Sequence, residues 1–250
     1  MPAVERDDGP GIQRQGLFAT THWSLIQAAR DGSSAEARQA LDRLCRIYWQ
    51  PVYAFTRRSG ATPEDARDLT QSFFADLLAD NSVFRADPQK GRFRSFLLGA
   101  LKHFLSDQRT RVAAIKRGGD CECVPLDAAL AESRYGAVPS TTATPDREYD
   151  RAWALTVLDR ALARLREEFV LSGRGPLFDG LKGFLTGDKA GSGYQDTAAR
   201  LRITVGAAKM NVTRMRHRFR ALVRQELTHT VLTSAELEEE LRDFAAILRD

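Results

Sequence analysis

YQDTAARLRITVGAAKMNVTRMRHRFRALVRQE, residues 194 to 226, is the stretch whose reading decides the fold of this chain. Tyr194 to Leu201 has the spacing of a short helix carrying Ala198, Ala199 and Leu201, and Arg202-Ile203-Thr204 interrupts it before a long basic helix. Ala198 is small enough to let two helices approach, and Ile203 fills the corner between them. Thr204 suits the cap of the second helix, because its hydroxyl accepts a hydrogen bond from an otherwise free amide of the first turn. Ala208, Val212, Met215, Phe219 and Leu222 recur at helical intervals and are expected inside. Gly206, Ala207, Lys209, Met210, Asn211, Thr213 and Arg214 are left outside, with Arg218 one turn further on. This is helix-turn-helix spacing. In such motifs the start of the second helix enters the major groove, where Asn and Arg reach base edges and other cations neutralise phosphates. A solvated basic face on an ordinary helix is the plainer alternative, but Arg200 to Arg224 carries eight basic residues and no acid.

Charge is segregated along the rest of the chain as well. From Arg85 to Arg117 nine Arg and Lys stand against Asp87 and Asp107, whereas Glu64 to Asp80 holds five acids against Arg67 alone. From Leu232 to the end, six acids face two arginines. A net charge of +4 hides this pattern, and polyanion-binding surfaces are built from it. The 43% hydrophobic and 28% charged residues describe a packed, water-soluble chain of 250 residues, room for one large domain or two small ones. No apolar run reaches the length of a bilayer span, and Asp7 and Asp8 stand where a secretory apolar region would begin. A cytoplasmic location without membrane insertion is expected. Three cysteines are too few and odd in number for a disulfide framework, which agrees with a reducing compartment.

Periodicity elsewhere is almost wholly helical, so the fold is expected to be all-α: two small helical domains joined by a flexible linker, the second containing the helix-turn-helix. A tail over 1–18 precedes a first domain over 19–117. Its first helix runs around Trp23 to Ala29. The second, about Ala35 to Arg58, turns Leu41, Leu44, Cys45, Tyr48, Val52 and Phe55 to one face, with a kink at Pro51. The third starts with Thr62 as cap and Pro63 at the first position, and buries Ala66, Leu69, Phe73 and Leu77. The fourth, about Arg94 to Val112, buries Phe96, Leu97, Ala100, Leu101, Phe104 and Leu105. Gly118-Gly119 and a Pro, Ser and Thr-rich stretch make 118–150 the linker. The second domain, 151–230, opens with a helix burying Leu155, Leu158, Leu162, Leu165 and Phe169. An acidic amphipathic helix over 231–250 follows, capped by Thr233 with Glu236 three residues on. Its stripe is Leu237, Leu241, Phe244 and Leu248; Glu236, Glu238, Glu239, Glu240 and Asp243 are expected outside. That helix either extends the core of the second domain or contacts another protein, with its charge exposed for solubility, or it folds back on the second domain and competes with DNA.

Three blocks of this sequence resemble the extracytoplasmic-function sigma factors, the compact branch of the sigma-70 family. EDARDLTQSFFADLL, residues 64 to 78, is similar to the polymerase-binding helix of the family's second region. FRSFLLGALKHFLSDQRTR, residues 93 to 111, is similar to the part that melts and reads the minus-ten element. ITVGAAKMNVTRMRHRFRALV, residues 203 to 223, resembles the minus-thirty-five reader of the fourth region. The sequence departs from the pattern at Ala208 and Asn211 and in a longer loop over Gly173 to Gly193.

The resemblance implies that core RNA polymerase is bound through Asp65, Asp68, Leu69, Gln71, Ser72, Phe74 and Asp76, with the clamp coiled coil of the largest subunit as partner. It implies minus-ten contacts from Arg92, Phe93, Arg94, Phe96, Lys102, His103, Arg109 and Arg111, since melted bases are held between aromatic and basic side chains. Phe93 and Phe96 also read as core residues, and the acidic helix face also reads as plain solvated surface. Promoter DNA and core polymerase are thus the expected partners, and an anti-sigma or other regulatory protein is compatible with the pattern.

Catalytic readings find little footing. Cys121-Glu122-Cys123 lacks the second ligand pair that tetrahedral zinc needs, and His22, His103, His217 and His229 are scattered. Gly187 to Gly193 lacks the Gly-Lys-Ser/Thr end of a phosphate loop. No enzymatic activity and no cofactor are expected. The rival readings are a stand-alone helix-turn-helix regulator that binds an operator without polymerase, and a DNA-processing enzyme that uses the motif for targeting.

Overall fold

The computed structural model describes residues 34–79, 82–87, 90–114, 143–185, 193–231 and 233–249, together with Ile26, Glu132, Ser133 and Tyr135. Among these, regular structure is helical, without strands. Eight α-helices follow in order: α1 (Ser34–Arg58), α2 (Pro63–Ala79), α3 (Phe93–Ala114), α4 (Pro145–Leu171), α5 (Gly175–Leu181), α6 (Gly193–Leu201), α7 (Val205–Thr228) and α8 (Ser234–Ile247). The expected tail over 1–18, most of the helix around Trp23, most of the linker and the Cys121-Glu122-Cys123 triplet lie outside the described residues.

The expected stripes mostly form the core. Leu44, Tyr48, Val52 and Phe55 of α1 are buried in one cluster with Phe73 and Leu77 of α2 and Leu97, Leu101, Phe104 and Leu105 of α3, while Ala66 of α2 is buried beside Tyr53. The helix through Pro51 is continuous. α2 starts as its sequence signals: Thr62 Oγ1 accepts from the Asp65 amide at 3.1 Å.

Two expectations are corrected in α4. The helix begins at Pro145 rather than near Arg151, because Thr144 caps it by accepting from the Arg147 amide and Pro145 supplies a preset first position. Leu155 is 38% exposed, whereas Tyr149, Ala152, Trp153, Ala154, Val157 and Ala161 are buried. α4 packs along α1 on one side and along α7 on the other, so it buries two faces rather than one stripe. Its alanines allow the close approach. The helix stops at Gly173, whose φ of +70 closes a turn in which the Arg174 amide donates to Phe169 O at 2.7 Å.

One hydrophobic cluster consequently runs from Ile26 and Tyr48 through Trp153 to Leu222 and Phe244, so α4 joins the core of the amino-terminal helices to that of α5 to α8. Polar ties reinforce the seam: Tyr149 Oη donates to Arg94 O at 3.1 Å, Lys102 pairs with Asp146 at 2.5 Å, and Arg58 Nε donates to Ala143 O at 2.6 Å. On the far side of α1, Glu132 accepts from Arg57 at 2.9 and 3.0 Å and from Tyr53 Oη.

Candidate functional site

α6 and α7 are set by a tight turn. The Ile203 amide donates to Ala198 O at 3.0 Å, and Arg202 takes a left-handed φ of +54 to allow it. Thr204 is extended and accepts from the Ala207 amide at 3.1 Å, which caps α7 as its sequence predicts. Ala198, Ala208, Val212, Met215 and Leu222 are buried, with Phe219 half-buried. α5 packs closely on α6 from behind: a Cβ on Gly180 would meet Leu201 Cδ1 at 2.9 Å, so a larger residue there would have to displace the Leu201 side chain.

The outward face of α7 carries Thr204, Gly206, Lys209, Met210, Thr213 and Arg214 exposed, with Ala207 and Asn211 half-buried. Met210 is 56% exposed at its centre. Lys209 Nζ lies 5.9 Å from the centroid of the Tyr194 ring. Asn211 Nδ2 donates back to Ala207 O at 2.9 Å. Among the described residues no ion pair holds Arg200, Arg202, Lys209, Arg214 or Arg220. Arg218, expected among the free contacts, is instead forked onto Glu168 of α4 at 2.5 and 2.8 Å, and this hydrogen bonding holds the Glu168 carboxyl below its ordinary pKa. The base of α7 is fixed by buried Glu226, between Arg160 and Arg164 at 2.8 Å each. Burial pushes the Glu226 pKa up, but the two arginines outweigh it and the net direction is down.

On α2, Asp65, Asp68 and Asp76 are exposed and Leu69, Gln71 and Ser72 half-buried. Phe74, expected to face a partner, is buried and stacked on Trp49 with ring centroids 6.1 Å apart. It is a core residue, because α1 covers the side of α2 that the stripe alone left open. Asp65, Asp68, Leu69 and Ser72 line an open groove of about 560 Å³, whose other wall is Leu105, Gln108 and Arg109 of α3. Arg109, expected on DNA, thus faces the acids across the groove and donates to Ser59 O.

The start of α3 differs most from expectation. Phe93 is buried edge-on to Tyr48 at 5.3 Å and belongs to the core, while Phe96 is half-buried beside it. Arg94 is buried too: its guanidinium lies 4.4 Å from the Trp153 ring centroid and pairs with Asp150 at 2.7 Å. Burial raises the Asp150 pKa despite this pairing. Arg92 and Arg94 both meet Glu240 and Asp243 of α8. Lys102 is held by Asp146, and His103 Nδ1 lies 3.1 Å from Asp107. Arg111 lies on α3 beyond Arg109.

α8 docks its apolar side against α4 and α7, with Phe244 edge-on to Trp153 at 5.9 Å. Its only described tie to a cation of the basic α7 segment is Glu238 to Arg224 at 2.6 Å. Glu240, expected outside, is fully buried; Leu248, expected inside, is exposed.

Among the described residues no cluster of three or more His, Cys, Asp or Glu could hold a metal ion, and no helix is long and apolar enough to cross a membrane. Comparison with family models, curated proteins and solved structures gives no match to the chain.

Proposed function

We propose that this chain is a sigma factor that binds core RNA polymerase and directs promoter recognition, DNA melting and transcription initiation. The observation that carries the reading is the outward face at the start of α7: capped by Thr204, free of acids, and bearing Lys209 and Arg214 without ion pairs. A helix start with exposed cations beside a short packed helix fits a major groove, and α6 with α7 then works as a helix-turn-helix on an upstream element. The exposed acids of α2, beside an open groove, support docking of a basic partner helix on the other half of the molecule. Around α3, Phe96 and Arg109, with Arg92 once α8 no longer covers it, are the side chains we assign to the minus-ten element.

Purified chain is added to core polymerase on a library of random upstream sequences, and transcripts are sequenced. RNA starting at a fixed distance from a shared motif, only when both proteins are present, is the expected result. Sequence-specific DNA binding with no dependence of transcription on the chain would instead assign a stand-alone regulator.

A further inference from the structure

We infer that α8 is an intramolecular clasp whose Glu240 and Asp243 occupy the arginine pair, Arg92 and Arg94, that the melted promoter strand would otherwise take. The purpose of the arginines rests on the sigma-factor reading; their occupancy is a matter of geometry.

Glu240 Oε2 lies 2.8 Å from Arg92 Nε, and Arg94 Nη2 donates to the same oxygen at 3.4 Å. Glu240 Oε1 lies 3.2 Å from Arg94 Nε, out of line for a hydrogen bond, and takes a 3.4 Å contact from the Thr230 hydroxyl. Asp243 hydrogen-bonds Arg92 and lies 3.8 Å from Arg94. The arginines flank Phe93, the first residue of α3. A helix start is already the positive end of the macrodipole, so two guanidiniums there require an anion. α8 supplies it.

A nucleic-acid phosphate offers the same chemistry, an oxyanion whose paired oxygens fit a guanidinium fork. Carboxylate and phosphate exclude one another at this place, because Glu240 has no exposed surface left. The rim of the contact is open: the side chains of Arg92 and Asp243 are 24% and 51% exposed, which gives a competing anion a way in. α8 is held down by Leu237 and Phe244 and touches both α4 and α7, so its release frees Arg92, while Arg94 keeps Asp150 of α4 at 2.7 Å and its place over the Trp153 ring.

The test uses full-length chain and a labelled 20-nucleotide single strand, with affinity read by fluorescence anisotropy over a salt series. The double variant E240Q/D243N is expected to bind about tenfold tighter at low salt, with a salt slope steeper by about 0.7, since the freed Arg92 adds one phosphate contact on a single strand. Adding R92A to that variant removes the gain in slope. E239Q loses a charge from the same helix at an exposed position without an ion pair, and keeps the parent affinity within about twofold. If the double variant loses its helical signal, D243N alone, at the half-exposed rim, carries the test with a gain of about threefold.

No gain in either opened variant, or an equal gain in E239Q, overturns the clasp. Promoter-dependent RNA synthesis with core polymerase is scored in parallel. Normal synthesis by the parent without any gain on opening rejects the clasp and leaves the sigma-factor reading standing. Absence of synthesis in every variant, with the gain in strand binding present, rejects that reading and leaves the clasp.

Discussion

The two basic segments of this chain look alike in sequence and behave differently in the fold. In the segment from Arg200 to Arg224, Lys209, Arg214 and Arg220 stand exposed, without ion pairs among the described residues. In the segment from Arg85 to Arg111, Arg92, Arg94 and Lys102 are all taken, by Glu240, Asp243, Asp150 and Asp146. Net charge along a sequence therefore overstates the charge a fold presents. An arginine counts toward a polyanion site only when no carboxylate of the same chain already neutralises it.

The largest effect expected from this contrast is on stability. Glu240→Ala removes the buried anion shared by Arg92 and Arg94, leaving them only Asp243 and Asp150, and costs about 3 kcal/mol in urea unfolding, whereas Arg214→Ala, an exposed cation, stays within about 0.5 kcal/mol. Equal losses would erase the distinction between the segments. Reversing Asp65 and Asp68 together to Lys is expected to weaken polymerase binding about a hundredfold, about 2.7 kcal/mol. The Thr62 cap is strained by the change at Asp65 but the helical signal remains. Retained binding with a native circular-dichroism spectrum would mean that another surface docks the polymerase. Lys209→Ala and Arg214→Ala are expected to cost about 1 to 3 kcal/mol of upstream-element recognition where they touch bases; where they touch phosphate, each lowers the salt slope by about 0.9.

Acid sharpens the comparison further. Burial raises the Glu226 pKa and its two arginines lower it by more, so the folded value lies below the ordinary 4.5. The stability it contributes is complete above that ordinary value and is lost as pH falls through the depressed one. His229, pushed below its ordinary 6.5 by burial against the pull of Glu226, adds a loss that begins as pH drops under that value. Urea midpoints from pH 7 down to pH 3 should therefore fall, and should fall less in Glu226→Gln. A pH profile unchanged by the substitution would show that the arginines do not hold Glu226 ionised. The smallest effect expected is a gain: Arg202→Gly relieves the left-handed backbone at φ +54 and stabilises the α6 to α7 turn by about 1 kcal/mol. A loss of stability would mean that the arginine side chain contributes more than its backbone strain costs.

Much of the fold was legible because local signals fixed it. The caps at Thr62, Thr204 and Thr233 each accept the hydrogen bond their sequences predict, and most of each stripe of α1, α2, α3 and α7 is buried, with Leu41, Cys45, Leu69, Phe96, Ala100 and Phe219 half-buried at their edges. α4 was misread because a helix buried on two sides has no single stripe. Phe74 was misread because the helix that covers it lies outside its own segment. The clasp joins residues almost 150 positions apart, so no local pattern could pair them. Part of it was nevertheless visible. Arg94 stands three residues before Leu97, Glu226 four after Leu222, and Glu240 between Leu237 and Phe244, each on its own helix's apolar stripe. A charge in such a position must be paired when buried, and all three are.

Arginine-selective dicarbonyl labelling of the native full-length chain, read peptide by peptide in a mass spectrometer, compares the two segments in one sample. Arg214 and Arg220 should be modified at rates near those of the urea-unfolded chain, while Arg92 and Arg94 are protected at least tenfold and Arg92 loses that protection in E240Q/D243N. Equal modification of all four arginines in the parent chain would contradict the account, because both basic segments would then be free for DNA.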